Sequence, residues 1–424
     1  MAVNGKPGSA LRVALLGFGT VGQSVARILC SGEMPTVQLT HIFNRNVKGK
    51  RTDWVPASVT WTESIDDVLS SDVDIVIELV GGLRPTLDWV KGALQSGKSV
   101  VTANKQLMAH YGTELLDLAR EKGLEVRFEA SVAGGIPVLR ALQEGLAGDR
   151  LVEVRGILNG TCAYILSRMQ NEGISFGDAL AEAQRLGYAE ADPTEDVDGA
   201  DAAAKLAIIA AVGLRRPVRV ADIATKSIRP IESVDFMYAR ELECTIRQIA
   251  RASAEDDGTV FAAVRPALVP LSSGFGRVEG SQNLVSVRGI FGGETSFFGS
   301  GAGGSPTAVA VVSDVLSVAT RRDGQARPQA PTAFHQVRGD FVAPHYVRFT
   351  VNDKPGIIAQ VTAAYARYGI NIEGVLQLPK FRKDRLPFVT TLEECPESVL
   401  DRALSEVARS DYHVVPPLSL PIFA

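Results

Sequence analysis

The chain has 424 residues, of which 46% are apolar and 22% are charged, values that are ordinary for a soluble globular protein. This length predicts two to four domains and an ample core. The net charge of −4 is weak and argues neither for binding to nucleic acid nor for binding to an anionic membrane surface, so we expect neither partner.

Residues 10–135 are predicted to form a Rossmann-like, dinucleotide-binding α/β domain. Short runs rich in Val, Ile and Leu alternate with helical stretches, a pattern typical of buried parallel strands. The predicted strands are "RVALLG", "VQLTHIF", "VDIVIELV", "KSVVTAN" and "LEVRFEAS".

Residues 136–300 are predicted to form an α+β domain, a sheet covered by helices. The predicted strands are "LVEVRGIL", "TVFAAVRPALV" and "NLVSVRGIF", and the predicted helices are "TCAYILSRMQ", "FGDALAEAQRLG", "DAAAKLAIIAAVG" and "ARELECTIRQIARASA". A glycine-rich stretch then precedes a helix that begins at Ser305-Pro306. We expect residues 300–325 to return and complete the first domain, and the alternative is a packing turn between domains.

The last part of the chain is predicted to be a linker followed by a small domain. Residues 326–344 are rich in Pro, Gly and Gln, which is typical of a linker. Residues 345–424 follow the order βαββαβ, which predicts a ferredoxin-like fold. The last predicted strand is "YHVVP".

Cysteine and histidine positions indicate no zinc site. The four cysteines lie far apart, which favours a reducing compartment, and the five histidines form no local pair. The N-terminus lacks the apolar core of a signal peptide, and no apolar run reaches the ~20 residues needed to span a bilayer. We therefore expect a cytoplasmic protein without a membrane span.

A glycine motif follows the first predicted strand. Gly17, Gly19 and Gly22 make G-x-G-x-x-G between a strand and a helix, where the glycines allow a tight turn, close approach of a pyrophosphate and close helix packing. The motif predicts a dinucleotide site, and the alternative is a glycine turn without a ligand.

The end of the second strand bears on the choice between NAD and NADP. Asn44 and Arg45 stand where an NAD site usually has an acid, and three further basic residues follow. That charge suits the 2′-phosphate of NADP. A solvated basic loop is the alternative, so NAD and NADP both remain open.

Two further features lie near the carboxyl ends of the predicted parallel strands. Lys105 follows the strand end Thr102–Asn104, at the edge where such sheets bind ligands, although it could equally be a surface lysine that starts a helix. Glu129 precedes a Gly134-Gly135 turn. A carboxylate beside exposed carbonyl oxygens suits a hard cation, and a structural turn is the alternative.

Asp201 and Lys205 are four residues apart in an alanine-rich helix, and so share one face. The neighbouring side chains are small or apolar, which predicts that the two charged groups are partly buried. Burial of charged groups is costly in free energy unless they are paired and serve a function. The chain breaks at Asp192-Pro193, which lets Glu190 fold back toward the same pocket. A surface ion pair is the alternative interpretation.

These residues carry a resemblance to the homoserine dehydrogenase family. The family signature is matched without exception by Ala183, Gly187, Tyr188, Asp192, Pro193, Asp196, Val197, Gly199, Asp201 and Lys205. The stretches "TANK", "EASVAGGIP", "ILNGTCAYIL" and "GSGAGGSPTA" also resemble the family. The stretch that begins "YVRFTVNDKPG" resembles an ACT domain.

The resemblance implies a Rossmann-like domain, a catalytic domain that carries the dimer interface, and a C-terminal ACT domain. It implies reversible reduction of L-aspartate 4-semialdehyde to L-homoserine with NADP or NAD, on the route to threonine and methionine. It further implies a homo-oligomer, a dimer or a tetramer, and threonine as an effector at the ACT domain.

The resemblance also assigns roles to residues. Lys205 would donate and accept the proton, Asp201 would hold the reacting end of the substrate, and Glu190 would bind its amine. Lys105 would lie between cofactor and substrate. Further substrate contacts would come from Gly160, Thr161, Tyr188 and Asp196. The cofactor would contact Gly17, Phe18, Gly19, Thr20, Val21, Gly22, Arg45, Lys105 and Gly303. A sodium ion would be held by Glu129 and by the carbonyls of Val132, Gly134 and Ile136.

Two features depart from the family pattern, and two alternative functions are considered. Ser300 stands where a larger polar residue is common, and the proline-rich end "VVPPLSLPIFA" departs from a continuous final ACT strand. One rival is a 2-hydroxy-acid dehydrogenase with an ACT domain, which would need a catalytic histidine. The other is a non-catalytic amino-acid sensor, which would not need Asp201 and Lys205.

Overall fold

The computed structural model describes residues 10–255, 257–322, 340, 342–378 and 381–422. The chain divides into two compact units, Met1–Arg327 and Pro328–Ala424. Most of the predicted linker, residues 326–344, lies outside the described residues, and a strand begins within it at Val342. None of the helices in the described ranges combines the length and the apolar character needed to cross a bilayer.

The first unit begins with a six-stranded parallel sheet. Its strands are β1 Leu11–Leu16, β2 Val37–Phe43, β3 Thr60–Thr62, β4 Ile75–Glu78, β5 Ser99–Thr102 and β6 Val126–Arg127. The order across the sheet is β3-β2-β1-β4-β5-β6. This is the strand order of a Rossmann-like fold, so the α/β prediction is confirmed. Ligands of such sheets bind where the order reverses, here between β1 and β4.

A second six-stranded sheet follows in the same unit. Its strands are β7 Leu151–Ile157, β8 Ala224–Thr225, β9 Cys244–Ala254, β10 Val260–Pro270, β11 Gln282–Gly289 and β12 Gly293–Ser300. The order is β12-β11-β7-β9-β10-β8, and every neighbouring pair except β10 with β8 is antiparallel. The predicted α+β architecture is confirmed.

Within the described residues, helices connect the strands and cover the three sheets. They are α1 Thr20–Leu29, α2 Ile65–Ser70, α3 Thr86–Gln95, α4 Lys105–Lys122, α5 Val138–Arg140, α6 Gly160–Glu172, α7 Phe176–Arg185, α8 Thr194–Val197, α9 Ala200–Ile209, α10 Ser233–Glu241, α11 Gly304–Arg322, α12 Ile357–Arg367 and α13 Glu397–Val407. Buried side chains of α4 and α9 share one core with both sheets of the first unit. Those of α11 pack with α1 and β1.

The predicted helix "ARELECTIRQIARASA" is wrong for most of its length, because Cys244–Ala254 is strand β9. The Ala, Arg and Glu content favours a helix, but β9 is a central strand that pairs with both β10 and β7. Tertiary pairing and burial override the weak local preference of such a segment. Helix α10 ends just before it, and Glu243 takes a positive φ of 54° between the two elements.

The predicted strand "LEVRFEAS" is also shorter than expected. Strand β6 ends at Arg127, and Glu129–Ser131 form a 3-10 turn. The backbone N–H of Glu129 donates to a carboxylate oxygen of Asp314 at 2.8 Å, so a side chain takes the donor that would continue the ladder.

In the residues that the structure describes, the second unit is a four-stranded antiparallel sheet with two helices. Its strands are β13 Val342–Val351, β14 Ile372–Leu376, β15 Leu386–Pro396 and β16 His413–Pro421, in the order β14-β15-β13-β16. The predicted ferredoxin-like fold is confirmed. The final strand is longer than the predicted "YHVVP", because it continues through the prolines to Pro421. Strand β16 lies at the sheet edge, where proline is tolerated because one side of the strand needs no N–H donor.

Candidate active site

Helix α9 places Asp201 and Lys205 on one face, one turn apart. Its N-cap is Gly199, whose φ of 90° favours glycine, and a Cβ there would lie 3.2 Å from Val264. Almost every residue of the helix is buried. The two charged side chains are therefore held by a rigid helix inside the protein.

The Asp201 carboxylate lies between two lysines. Its Oδ2 accepts from Nζ of Lys205 at 2.8 Å and from Nδ2 of Asn159 at 2.8 Å, and its Oδ1 pairs with Nζ of Lys105. Asp201 is only 3% exposed. Burial alone would raise the pKa of this carboxyl, but the two ammonium groups outweigh it and hold the pKa below its ordinary value.

The Lys205 ammonium has two fixed acceptors. Its Nζ donates to Asp201 and, at 2.8 Å, to the carbonyl oxygen of Leu158. An ammonium has three donors, so one remains for another acceptor, such as an oxygen of a bound molecule. The predicted ion pair is buried, with the Lys205 side chain 14% exposed, and is not a surface pair.

Lys105 is the first residue of α4, directly after strand β5 and the N-cap residue Asn104. A cation at a helix N-terminus is disfavoured by the helix dipole, so this position depends on a nearby anion. Burial lowers the pKa of Lys105, but the Asp201 carboxylate more than offsets this and raises it. The structure thus brings three predicted residues, Lys105, Asp201 and Lys205, into one cluster.

Asn159 connects this cluster to the start of α6. Its Oδ1 caps the helix by accepting from the N–H of Cys162, and its Nδ2 also donates to Asp196 at 2.6 Å. Burial raises the pKa of Asp196 in spite of that hydrogen bond. The next residue, Gly160, has no room for a side chain, because a Cβ would lie 2.9 Å from the carbonyl oxygen of Ser281.

The other predicted substrate residues lie around Tyr188. The hydroxyl of Thr161 donates to the carbonyl oxygen of Tyr188 at 2.6 Å. The ring of Tyr188 stacks on that of Tyr164, with centroids 4.7 Å apart. Glu190 is exposed, and its carbonyl oxygen accepts from Gln184. Within the described residues, the Glu190 carboxylate has no hydrogen bond or ion pair, so it is available to a ligand.

The three glycines of the first motif have the distinct surroundings that a dinucleotide needs. A Cβ on Gly17 would lie 2.8 Å from the carbonyl oxygen of Leu79, and one on Gly22 would lie 2.3 Å from that of Gly17. Gly19 faces open space. The first and third glycines therefore permit close packing, while the second leaves room for a phosphate at the N-terminus of α1, which Thr20 and Val21 begin.

Phe18 contributes differently from the glycines beside it. Its side chain is fully buried, with ring contacts to Trp54 and Trp61. Only its backbone is placed to contact a ligand at the motif.

A cavity of about 340 Å³ opens at the ends of β1 and β2 and is lined by Gly17, Gly19, Asn44, Arg45 and Lys50 among others. Arg45 is exposed at its rim. Among the described residues, the lining contains two basic side chains and no acid, which fits an anionic group better than the hydroxyls of an NAD ribose.

The late glycine-rich stretch returns to the first motif. A Cβ on Gly304 would lie 3.0 Å from both Ser24 and Thr20 of α1, and Gly303 takes a φ of 131°. Ser300, the unexpected small residue, ends β12 and accepts from the N–H of Gly135 at 3.1 Å. The stretch therefore lies against both the cofactor motif and the turn that follows Glu129.

The predicted cation residues lie in one buried turn. Both carboxylate oxygens of Glu129 accept backbone N–H groups, those of Leu139 at 2.8 Å and Arg140 at 2.7 Å. Val132, Gly134 and Ile136 are buried, and the Ile136 carbonyl accepts from the N–H of Val138. Burial raises the pKa of Glu129 to about 7, although the two N–H donors lower it.

Glu78 and Asp314 are among the buried acids that were not predicted from the sequence. Glu78 is fully buried at the end of β4, and its carboxylate accepts from the N–H groups of Val80 and Gly81 and from the hydroxyl of Thr102. An acid that ends a continuous apolar strand was a signal for it. Asp314, on an apolar stretch of α11, was detectable only as an isolated charge.

Comparison with known proteins identifies the family of the chain. Residues 137–316 match the family described as homoserine dehydrogenase, residues 17–129 match its NAD binding domain, and residues 345–410 match the ACT domain. The curated homoserine dehydrogenase of Bacillus subtilis is 39% identical over 390 residues, which cover 89% of this chain and 90% of that protein.

Solved structures give the same result. A homoserine dehydrogenase from Thiobacillus denitrificans is 33% identical, with a TM-score of 0.70 over 97% of this chain and 98% of the other. A hyperthermophilic archaeal homoserine dehydrogenase in complex with NADPH is 27% identical, with a TM-score of 0.64 over 74% of this chain and 98% of the other. These matches favour the enzyme over both rivals. The chain belongs to the homoserine dehydrogenase family and is an NAD(P)-dependent oxidoreductase.

Proposed function

We propose that the chain catalyses the reversible reduction of L-aspartate 4-semialdehyde to L-homoserine, on the route to threonine and methionine. The observation that carries this proposal is the buried Asp201 carboxylate, shared by Lys205 and Lys105. It sets two ammonium groups beside each other at the carboxyl edge of the parallel sheet, where a carbonyl substrate and a dinucleotide would meet.

Lys205 is the proposed proton donor and acceptor. Asp201 and Leu158 accept two of its donors, and the third would contact the substrate oxygen. The nicotinamide cofactor, when bound, supplies or accepts the hydride. Lys105 would lie between substrate and cofactor, and Asp201 would orient both lysines while it holds the reacting end of the substrate.

The remaining substrate contacts follow from charge and position. Glu190 presents a carboxylate to the substrate ammonium. Gly160, Thr161, Tyr188 and Asp196 shape the pocket around it, through the contacts between Thr161 and Tyr188 and between Asn159 and Asp196.

NADP is the proposed cofactor in preference to NAD. The motif Gly17–Gly22 would hold the pyrophosphate with the N–H groups of Gly19, Thr20 and Val21, and Gly303 would approach from the late glycine stretch. Arg45 and Lys50 would bind the 2′-phosphate, which is supported by the acid-free lining of the cavity.

A monovalent cation, sodium, is proposed at residues 129–136, which we term the cation turn. The fit rests on an all-oxygen donor set and on a buried Glu129 carboxylate whose hydrogen bonds come from two neutral backbone N–H groups, which bring it no positive charge. When bound, the ion would supply that charge and fix the carbonyls of Val132, Gly134 and Ile136.

We propose a dinucleotide-binding domain at 10–135 completed by 300–325, a catalytic and dimerisation domain at 136–300, and an ACT domain at 345–424 that binds threonine. Exposed apolar side chains on the second sheet support a dimer or tetramer, among them Phe261, Leu268 and Phe298. Four unpaired cysteines support a cytoplasmic location.

A spectrophotometric assay tests the proposed reaction. L-Homoserine is supplied with NADP or NAD, with and without threonine, and absorbance is followed at 340 nm. We expect oxidation of homoserine, faster with NADP at subsaturating cofactor and slower with threonine. Absence of turnover with either cofactor contradicts the proposed substrate.

A further inference from the structure

We propose that Asp314 is a positioning residue that holds the cation turn in place and joins it to the helix that starts at the cofactor-contacting glycine stretch. This inference deepens the proposed function, because it rests on the cation turn being an ion site. It assigns a role to a buried acid that neither the proton transfer nor the substrate contacts require.

Asp314 is a costly residue at its position. It is 3% exposed on α11, where the neighbouring buried side chains are apolar. A buried carboxylate is tolerated only when its oxygens are hydrogen-bonded. Asp314 meets this condition through two partners that both belong to the segment around the cation turn, 174 and 185 residues away in the chain.

The two partners fix opposite ends of that segment. One Asp314 oxygen accepts the backbone N–H of Glu129 at 2.8 Å, and the other accepts from the guanidinium of Arg140 at 3.1 Å. The backbone N–H of Arg140 donates in turn to the Glu129 carboxylate at 2.7 Å. The three residues therefore form a closed ring of hydrogen bonds that brackets the turn and sets the orientation of its carbonyls.

The same helix reaches the cofactor motif. Helix α11 begins at Gly304, against Thr20 and Ser24, and Asp314 lies ten residues later, about 15 Å along the axis. The cation turn also contacts the glycine stretch directly, through the hydrogen bond from Gly135 to Ser300. A rigid helix attached at both places makes the position of the turn dependent on Asp314.

The affinity of the protein for Na⁺, measured through its thermal stability, tests this role without relying on turnover. The full chain is unfolded by heat at a series of NaCl concentrations, with choline chloride holding the ionic strength constant, and the rise in Tm gives an apparent Na⁺ dissociation constant. Asp314→Asn keeps the shape but replaces one acceptor oxygen with an NH2 donor, so it cannot accept from both Glu129 and Arg140. We expect it to weaken Na⁺ binding by about 10- to 100-fold, as loss of an outer support of a metal site commonly does.

Matched variants separate positioning from general damage. Ser313→Ala changes the neighbouring side chain and keeps the carbonyl that Arg140 also contacts at 3.3 Å, so its Na⁺ constant should equal that of the wild type. Arg140→Lys should weaken Na⁺ binding in the same direction as Asp314→Asn, and the double variant should lose less than the sum of the two. If Asp314→Asn does not fold, the Na⁺ dissociation constant of Arg140→Lys tests the proposed role of Asp314 by itself.

The outcomes distinguish this inference from the proposed function. If Na⁺ stabilises the wild type saturably and its dissociation constant is the same in Asp314→Asn and Arg140→Lys, the proposed role of Asp314 is wrong. That result would still support the cation site. A wild-type Tm that does not respond specifically to Na⁺ overturns the cation site and this inference together, while homoserine oxidation can still be present.

Discussion

Nζ of Lys205 lies 2.8 Å from Oδ2 of Asp201, one turn away on α9, and Lys105 pairs with the other oxygen of the same carboxylate. One buried anion thus organises two cations from different helices. Without it, two ammonium groups would face each other in a poorly solvated pocket, so the arrangement depends on Asp201 staying ionised.

The stability of the protein should therefore depend on Asp201 in a pH-dependent way. The pKa of Asp201 is depressed in the folded state, so its contribution to stability is present above the unfolded pKa of about 3.9 and is lost as the pH falls below that value. We expect Asp201→Asn to lower the free energy of unfolding clearly at pH 6 to 7, with the gap to wild type narrowing below about pH 4.

Urea unfolding at a series of pH values measures that gap. Asp222→Asn, which breaks an exposed pair with Arg219, is the control and should change the free energy of unfolding little at any pH. A gap for Asp201→Asn that stays constant from pH 7 to pH 3 would show that the ionised carboxylate is not the source of the stabilisation.

Arg45 should decide the choice of cofactor. We expect Arg45→Ala to weaken NADPH binding by about 10- to 100-fold, because a hydrogen bond to a charged group contributes about 1.5–3 kcal/mol. NADH binding should change little. Fluorescence titration with each cofactor checks this, and Lys48→Ala is the control, since Lys48 is exposed in the same loop but does not line the cavity. Equal weakening of NADH and NADPH would count against a 2′-phosphate contact.

Gly22 should be intolerant of any side chain. A Cβ at this position would lie 2.3 Å from the carbonyl oxygen of Gly17, so Gly22→Ala must push α1 away from β1. We expect a stability loss of about 1–3 kcal/mol and weaker binding of NADP and NAD alike.

Gly177→Ala provides the matched control for this prediction, because it also adds a methyl group to a helix. Its nearest neighbour would be 3.8 Å away, and alanine is the better helix former. Thermal unfolding should therefore show a lower Tm for Gly22→Ala and no loss of Tm for Gly177→Ala. Cofactor titration should show weaker binding for Gly22→Ala alone. Unchanged cofactor binding in Gly22→Ala would contradict the packing role of the third glycine.

Local features of the site could be predicted because their determinants are close in sequence. The spacing of Asp201 and Lys205 fixes a shared helix face, and the surrounding alanines and leucine indicate its burial. The glycine motif after the first strand likewise predicts its own turn. Such patterns identify both partners of an interaction at once.

Other features depend on partners that are distant in the chain. Strand β9 has a helical composition and is a strand only because β7 and β10 pair with it on both sides. The contact of Asp314 with Glu129 joins residues 185 positions apart, and no local pattern near either residue indicates the other. The edge position of β16, which lets its prolines continue the strand, is likewise a property of the folded sheet.

The most direct measurement is the rate of L-homoserine oxidation by Lys205→Ala, set beside its NADPH dissociation constant. Because Lys205 is the proposed proton acceptor in this direction, we expect turnover to fall by at least about a hundredfold, as loss of a general acid–base group does. NADPH binding should stay within about twofold of wild type, since no contact to the cofactor is lost. Wild-type turnover in Lys205→Ala would contradict the assignment of Lys205 as the group that exchanges the proton with the substrate.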